Sequence, residues 1–110
     1  MERTEASSLL QAERARIEAS LAALEIATRD GRESSAYDQA DSGQAYEATV
    51  DAGLREQLAD ELRAVVRAER RLAEGSYGLS VESGEPIPDA RLRAQPTAER
   101  TVEEQQRYAG

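Results

Sequence analysis

Apolar residues fall on a narrow stripe through the first quarter of the chain. In "EASSLLQAERARIEASLAALEIATRD", residues 5–30, Leu10, Ile17 and Leu24 repeat at seven with Leu21 beside them. The positions between carry Glu, Arg, Gln and Ala. This is the pattern of a helix with one buried seam. Ser7 or Ser8 is the expected N-cap and Gly31 the expected stop. Residues 31–44, "GRESSAYDQADSGQ", lose the period and gather Gly, Ser and Asp, which predicts a turn or tip. From 45 to 74 the stripe resumes through Val50, Leu54, Leu58, Leu62, Val65 and Leu72, with Ala68 filling in. Gly53 interrupts it at a cost of about 1 kcal/mol relative to Ala, and Gly75 ends it. Two matched stripes around a short break predict an antiparallel helical hairpin, a coiled coil with arms of about 40–45 Å.

The pattern changes again at residue 76. All three prolines, Pro86, Pro88 and Pro96, fall in the last part of the chain. Tyr77, Leu79 and Ile87 alternate as short strands do, around a turn at "SGEP". Pro96 and Thr97 are the expected opening of a last helix near 98–108, with Val102 on its inner face. The expected organisation is a hairpin over 1–75, its tip near 31–44, and a small C-terminal module over 76–110. The fold class is mostly α.

Composition narrows the function. The chain has 110 residues, no Phe, Trp, Cys or His, and four Tyr. Too little large apolar surface exists for a broad core. The net charge is -8, from 14 basic and 22 acidic side chains, which opposes direct nucleic-acid binding. Without Cys there is no disulfide framework. No apolar run approaches the roughly 20 residues of a membrane span, and no secretory h-region is visible. The expectation is a soluble, cytoplasmic, acidic protein without a membrane partner. No nucleophile–base set or phosphate loop appears, so an enzyme is not expected. Oligomeric state is left open.

The segment "RRLAEGSYGLSVESGEPIPDARLRAQPTAERTVEEQQ" carries more specific information. Gly75, Tyr77, Gly78, Gly84, Ile87, Arg91, Leu92, Ala94, Pro96 and Ala98 stand at fixed spacings. In this pattern the segment resembles the C4 zinc finger of the DksA/TraR family, with Gln105 following in register. The resemblance puts the four cysteine positions at Ser80, Ser83, Thr101 and Glu104. Structural zinc takes thiolate or imidazole donors, with carboxylate a minor substitute. Zinc is therefore not expected, and no other cofactor is. In its place two readings stand: a hydrogen-bonded cluster of the three hydroxyls around the Glu104 carboxylate, or exposed loop polars. Thr101 and Glu104 also fit a capping box. A module with so few apolar residues is expected to pack on the hairpin base, near Leu9, Leu10, Val66 and Leu72.

The tip, "YDQADSGQAYE", resembles the acidic hairpin tip of the same family. Asp38 and Asp41 match two Asp positions, and Gly43 stands where Ala is expected. A second register takes "YD" and "AD" as separate remnants of a shorter family pattern with two residues missing between them, and both registers retain Asp41. The resemblance implies a transcription regulator that binds RNA polymerase through the secondary channel, with Asp38 and Asp41 toward the active centre. A non-catalytic interaction protein on the same scaffold, a channel blocker or a binder of another protein, is the alternative. On composition alone Asp38 and Asp41 read first as turn residues, and the resemblance of the finger puts the tip reading level with that. Arg63, Arg67, Arg70 and Arg71 are expected to pair with Glu69 or Glu74 on their own helix, in preference to facing an acidic partner.

Overall fold

The structure, a computed structural model, describes residues 1–35 and 42–109. Four helices occur among them: α1 (Arg3–Ser35), α2 (Ser42–Glu74), α3 (Asp89–Ala94) and α4 (Val102–Ala109). The mostly helical fold class holds. Close contacts group the residues into two compact units, Met1–Arg14 with Arg63–Gly110, and Ala15–Leu62.

Helix α1 starts earlier and ends later than the sequence signals predict. Ser7 and Ser8 lie inside it, and Ser7 Oγ accepts a bond from Gln11 Nε2 at 3.3 Å. Gly31 lies within the helix and does not end it. An isolated glycine lowers helix propensity without forbidding the conformation. The end of α2 follows its prediction. Ser76 N–H bonds to Arg71 C=O at 2.9 Å and Gly75 N–H to Leu72 C=O at 3.3 Å. Gly75 has φ +85°. This is a Schellman cap, and the left-handed position explains the glycine.

In the unit Ala15–Leu62, Ile17 and Leu58 are buried, with Leu21, Leu24 and Leu62 half-buried. Arg16 pairs with Glu61 at 3.5 Å. Val50 and Leu54, expected on the covered face, are 48% and 42% exposed. A two-helix seam shields its centre line, and positions one step off that line stay wet when no third layer covers them.

In the other unit, Ala6, Leu10, Val65 and Ala68 are buried. Arg14 makes a two-point contact with Glu69 there. A second apolar cluster consists of Ile87, Leu92 and Ala98, with Met1 and Tyr77 packed against it. The finger and the hairpin base thus form one compact body, as the small apolar content of the finger predicts. One of the expected positions departs. Val66 is 37% exposed. Met1 fills the finger cluster, and Arg93 meets Glu5 at 2.6 Å.

The expected strands reduce to one antiparallel bridge, Leu79 with Pro86. Bonds from Ile87 N–H to Gly78 C=O (2.7 Å) and from Ser80 N–H to Glu85 C=O (2.8 Å) flank it. Pro86 has no N–H to carry a ladder further.

Candidate functional site

The four positions that the finger pattern assigns to metal ligands converge. The first pair lies in a tight turn. Ser80 Oγ accepts bonds from the N–H groups of Glu82 (3.1 Å) and Ser83 (3.3 Å). Gly84 N–H closes the turn on Ser80 C=O at 2.9 Å, with Gly84 at φ +77°. Ser83 Oγ accepts from Glu85 N–H at 3.2 Å.

The second pair opens α4. Thr101 Oγ1 accepts from Glu104 N–H at 3.2 Å, while Glu104 Oε1 accepts from Thr101 N–H at 2.9 Å. This reciprocal arrangement is the capping box anticipated in the sequence. It also moves the helix start from the expected 98 to Val102. The register set by Thr101 turns Glu104 inward, so Glu104 is 5% exposed and Val102, expected inside, is 46% exposed.

Glu104 and Ser80 are the buried polar residues among those described. Burial disfavours a carboxylate unless donors surround it. Here the Ser83 hydroxyl, the Thr101 N–H and the Ser80 hydroxyl all donate to Glu104 and outweigh that penalty. Together they lower its pKa from 4.5 to about 2.

The donor set does not fit zinc. Three of the four positions carry neutral hydroxyls, and the one anion already accepts the Thr101 N–H at 2.9 Å. A metal would have to displace those protons and accept oxygen ligands it binds weakly. No group of three or more acidic, His or Cys side chains suited to a metal occurs among the described residues.

Around this cluster, a second carboxylate joins the finger to α2. Glu99 accepts from Arg67 Nε (3.3 Å) and Nη2 (3.1 Å), and from Arg71 Nη1 (3.1 Å). Burial would raise the Glu99 pKa, but the Arg67 hydrogen bond and the charges of Arg67, Arg71 and Arg100 lower it. The expected pairing of these arginines with Glu69 or Glu74 gives way to this cross-link, since Glu69 meets Arg14. The i, i+4 spacing of Arg67 and Arg71 marks a two-armed receptor for a carboxylate. Nothing local in the sequence singles out Glu99 as its occupant. Tyr77 contributes an equally non-local bond, from its hydroxyl to Pro96 C=O at 2.8 Å. Its pKa is raised by burial, against the lowering effect of Arg71. Arg100 lies 3.8 Å from the centre of the Tyr108 ring, a cation–π contact.

The other candidate site is the tip. Asp38 and Asp41 lie outside the described residues. Gly43 falls in the first turn of α2.

Comparison with known proteins agrees with this geometry. Residues 75–109 match the family model of the prokaryotic dksA/traR C4-type zinc finger. Over 42 residues the chain is 55% identical to the RNA polymerase-binding transcription factor DksA of Caulobacter vibrioides strain NA1000 / CB15N. The match covers 38% of this chain and 30% of that relative's length. The DksA of strain ATCC 19089 / CIP 103742 / CB 15 matches equally. Among solved structures, the transcription factor DksA2 from Pseudomonas aeruginosa superposes with a TM-score of 0.83 at 26% identity. That superposition covers 97% of this chain and 82% of the DksA2 chain. The RNA polymerase binding protein and transcriptional regulator Dks from Chlamydia trachomatis L2 (LGV434) gives a TM-score of 0.50 at 25% identity, covering 99% and 92%. Fold and finger define a helical hairpin with a C4-finger-type module. The finger, residues 75–109, matches the DksA/TraR C4-type model in a form that lacks all four cysteines.

Proposed function

We propose that the chain is a transcription regulator that binds RNA polymerase through the secondary channel, with the acidic tip toward the active centre. The observation that carries this reading is the agreement of the whole-chain fold with DksA2, backed by 55% identity over 42 residues to a DksA named as RNA polymerase-binding. A two-helix hairpin, about 20 Å across, is narrow enough for a pore. In this reading Asp38 and Asp41 are the working residues. A carboxylate there can bias the catalytic Mg²⁺ or the mobile elements around it. Replacement of Ala by Gly at position 43 favours a second reading, a channel blocker on the same scaffold without tip activity.

The test is capture of the cognate core polymerase by the full chain, followed by transcription from a ribosomal promoter with Asp41→Asn as control. Binding with a promoter effect that Asp41→Asn abolishes supports the first reading. Binding with an effect unchanged in Asp41→Asn supports the blocker. Absence of binding at micromolar protein rejects both.

A further inference from the structure

We propose that the Glu104 carboxylate is the cross-link of the finger, occupying the structural role that a metal ion has where four cysteines are present. One anion, supplied by α4, draws on both turns: Thr101 N–H bonds to it from the second at 2.9 Å, Ser80 of the first is buried as it is, each 5% exposed, and the Ser83 and Ser80 hydroxyls hold its pKa down. The polarity of the cluster is consistent throughout. Two backbone N–H groups occupy acceptor positions of Ser80 Oγ, and Glu85 N–H one of Ser83 Oγ. That leaves each serine hydroxyl its proton to donate, and Thr101 N–H bonds to Glu104 Oε1. Hydrogen bonds to an ionised acceptor are the stronger kind, about twice a neutral pair. The first turn also meets the segment that precedes α4. Val81 N–H bonds to Glu99 C=O at 2.9 Å, and Arg100 meets Glu82 at 3.5 Å. With Ile87, Leu92 and Ala98 as its buried apolar set, the finger needs a link at the point where these turns meet.

The full chain as purified is assayed for zinc by elemental analysis, and its amide exchange is followed with and without a chelator. Near-absence of zinc, with chelator-insensitive protection at Ser83, Gly84 and Thr101, is the expected result. Near-stoichiometric zinc, or protection lost on chelation, overturns the proposal. Glu104→Ala removes the acceptor and is expected to speed exchange at those amides roughly tenfold or more, hairpin amides around Leu58 serving as the reference. Unchanged protection in a folded Glu104→Ala chain overturns it. If that variant does not fold, the readout passes to a chain in which Ser80, Ser83, Thr101 and Glu104 are all replaced by Cys. It is expected to bind one Zn²⁺ and to show chelator-sensitive protection at residues 83, 84 and 101. Failure to bind zinc would mean that the four positions do not converge, and the proposal falls.

Discussion

At the scale of single residues, two carboxylates hold the finger by different means. Glu99 is a charge-to-charge contact, with its side chain 23% exposed and that of Arg71 13% exposed. Removing it in Glu99→Ala leaves the Arg71 guanidinium poorly solvated and without this partner. A loss of about 1–3 kcal/mol in urea unfolding is expected. Glu61→Ala, at the more open pair with Arg16, is expected to cost less than about 1 kcal/mol. Equal losses would contradict the distinction. Glu104 is held by neutral donors that do not titrate over the acid range, so its own proton sets the pH response. Its folded pKa is lowered from 4.5 to about 2. The unfolded chain therefore takes up the proton first. The stabilisation is complete above the ordinary value and drains away as pH falls toward the folded one. Glu99 shifts in the same direction and contributes to the same acid loss. The Glu104 share is isolated by subtracting the melting profile of Glu104→Gln from that of the parent. The difference is expected to be flat above pH 4.5 and to shrink between there and about pH 2. A difference that grows on acidification would reverse the assignment.

At the scale of elements, the two informative glycines act in opposite senses. Gly75 sits at φ +85° with nothing within 4 Å of an added Cβ. Gly75→Ala therefore carries only the left-handed backbone penalty, about 1–2 kcal/mol of destabilisation. Gly53 is helical and equally open, so Gly53→Ala is expected to stabilise by roughly 0.5–1 kcal/mol. Thermal melts of the two variants should move in opposite directions. The same contrast shows what the sequence made legible. Gly75 sits at the end of an apolar stripe, where a C-cap is the expected use, and the structure places it there. Gly31 follows the same rule on paper, yet α1 continues to Ser35. Glycine permits a left-handed residue without demanding one, and the bonds that decide it are not written locally. The start of α4 was ambiguous for a related reason. Pro96-Thr97 and Thr101-x-x-Glu104 both read as helix openings. The second prevails because it satisfies two N–H groups at once, and it turns Glu104 inward, 5% exposed.

At the scale of the molecule, the spaced glycines, Tyr77, Ile87, Leu92 and Pro96 were enough to indicate the finger and its family. The partners that fasten it to the hairpin base were not legible. Met1 packs on Ile87, Leu92 and Ala98, Glu5 pairs with Arg93, and Arg67 and Arg71 take Glu99. These are contacts between residues 28 or more positions apart, and periodicity reports only on near neighbours. They have a direct thermodynamic consequence. The finger cluster relies on Met1 for apolar cover, and three buried residues with Tyr77 are too few to fold unaided. Finger and hairpin base should then open as one cooperative unit in hydrogen exchange, with similar opening free energies at Leu92 and Val65. Deleting residues 1–12 removes Met1, Glu5, Ala6 and Leu10 together, and with them the cover and two ion pairs, Glu5 with Arg93 and the Met1 amino group with Asp89. Protection at Ile87 and Leu92 is expected to fall by at least tenfold, the equivalent of about 1.4 kcal/mol. If finger protection survives the truncation unchanged, the module is self-sufficient, and Met1 packs on a core that does not need it.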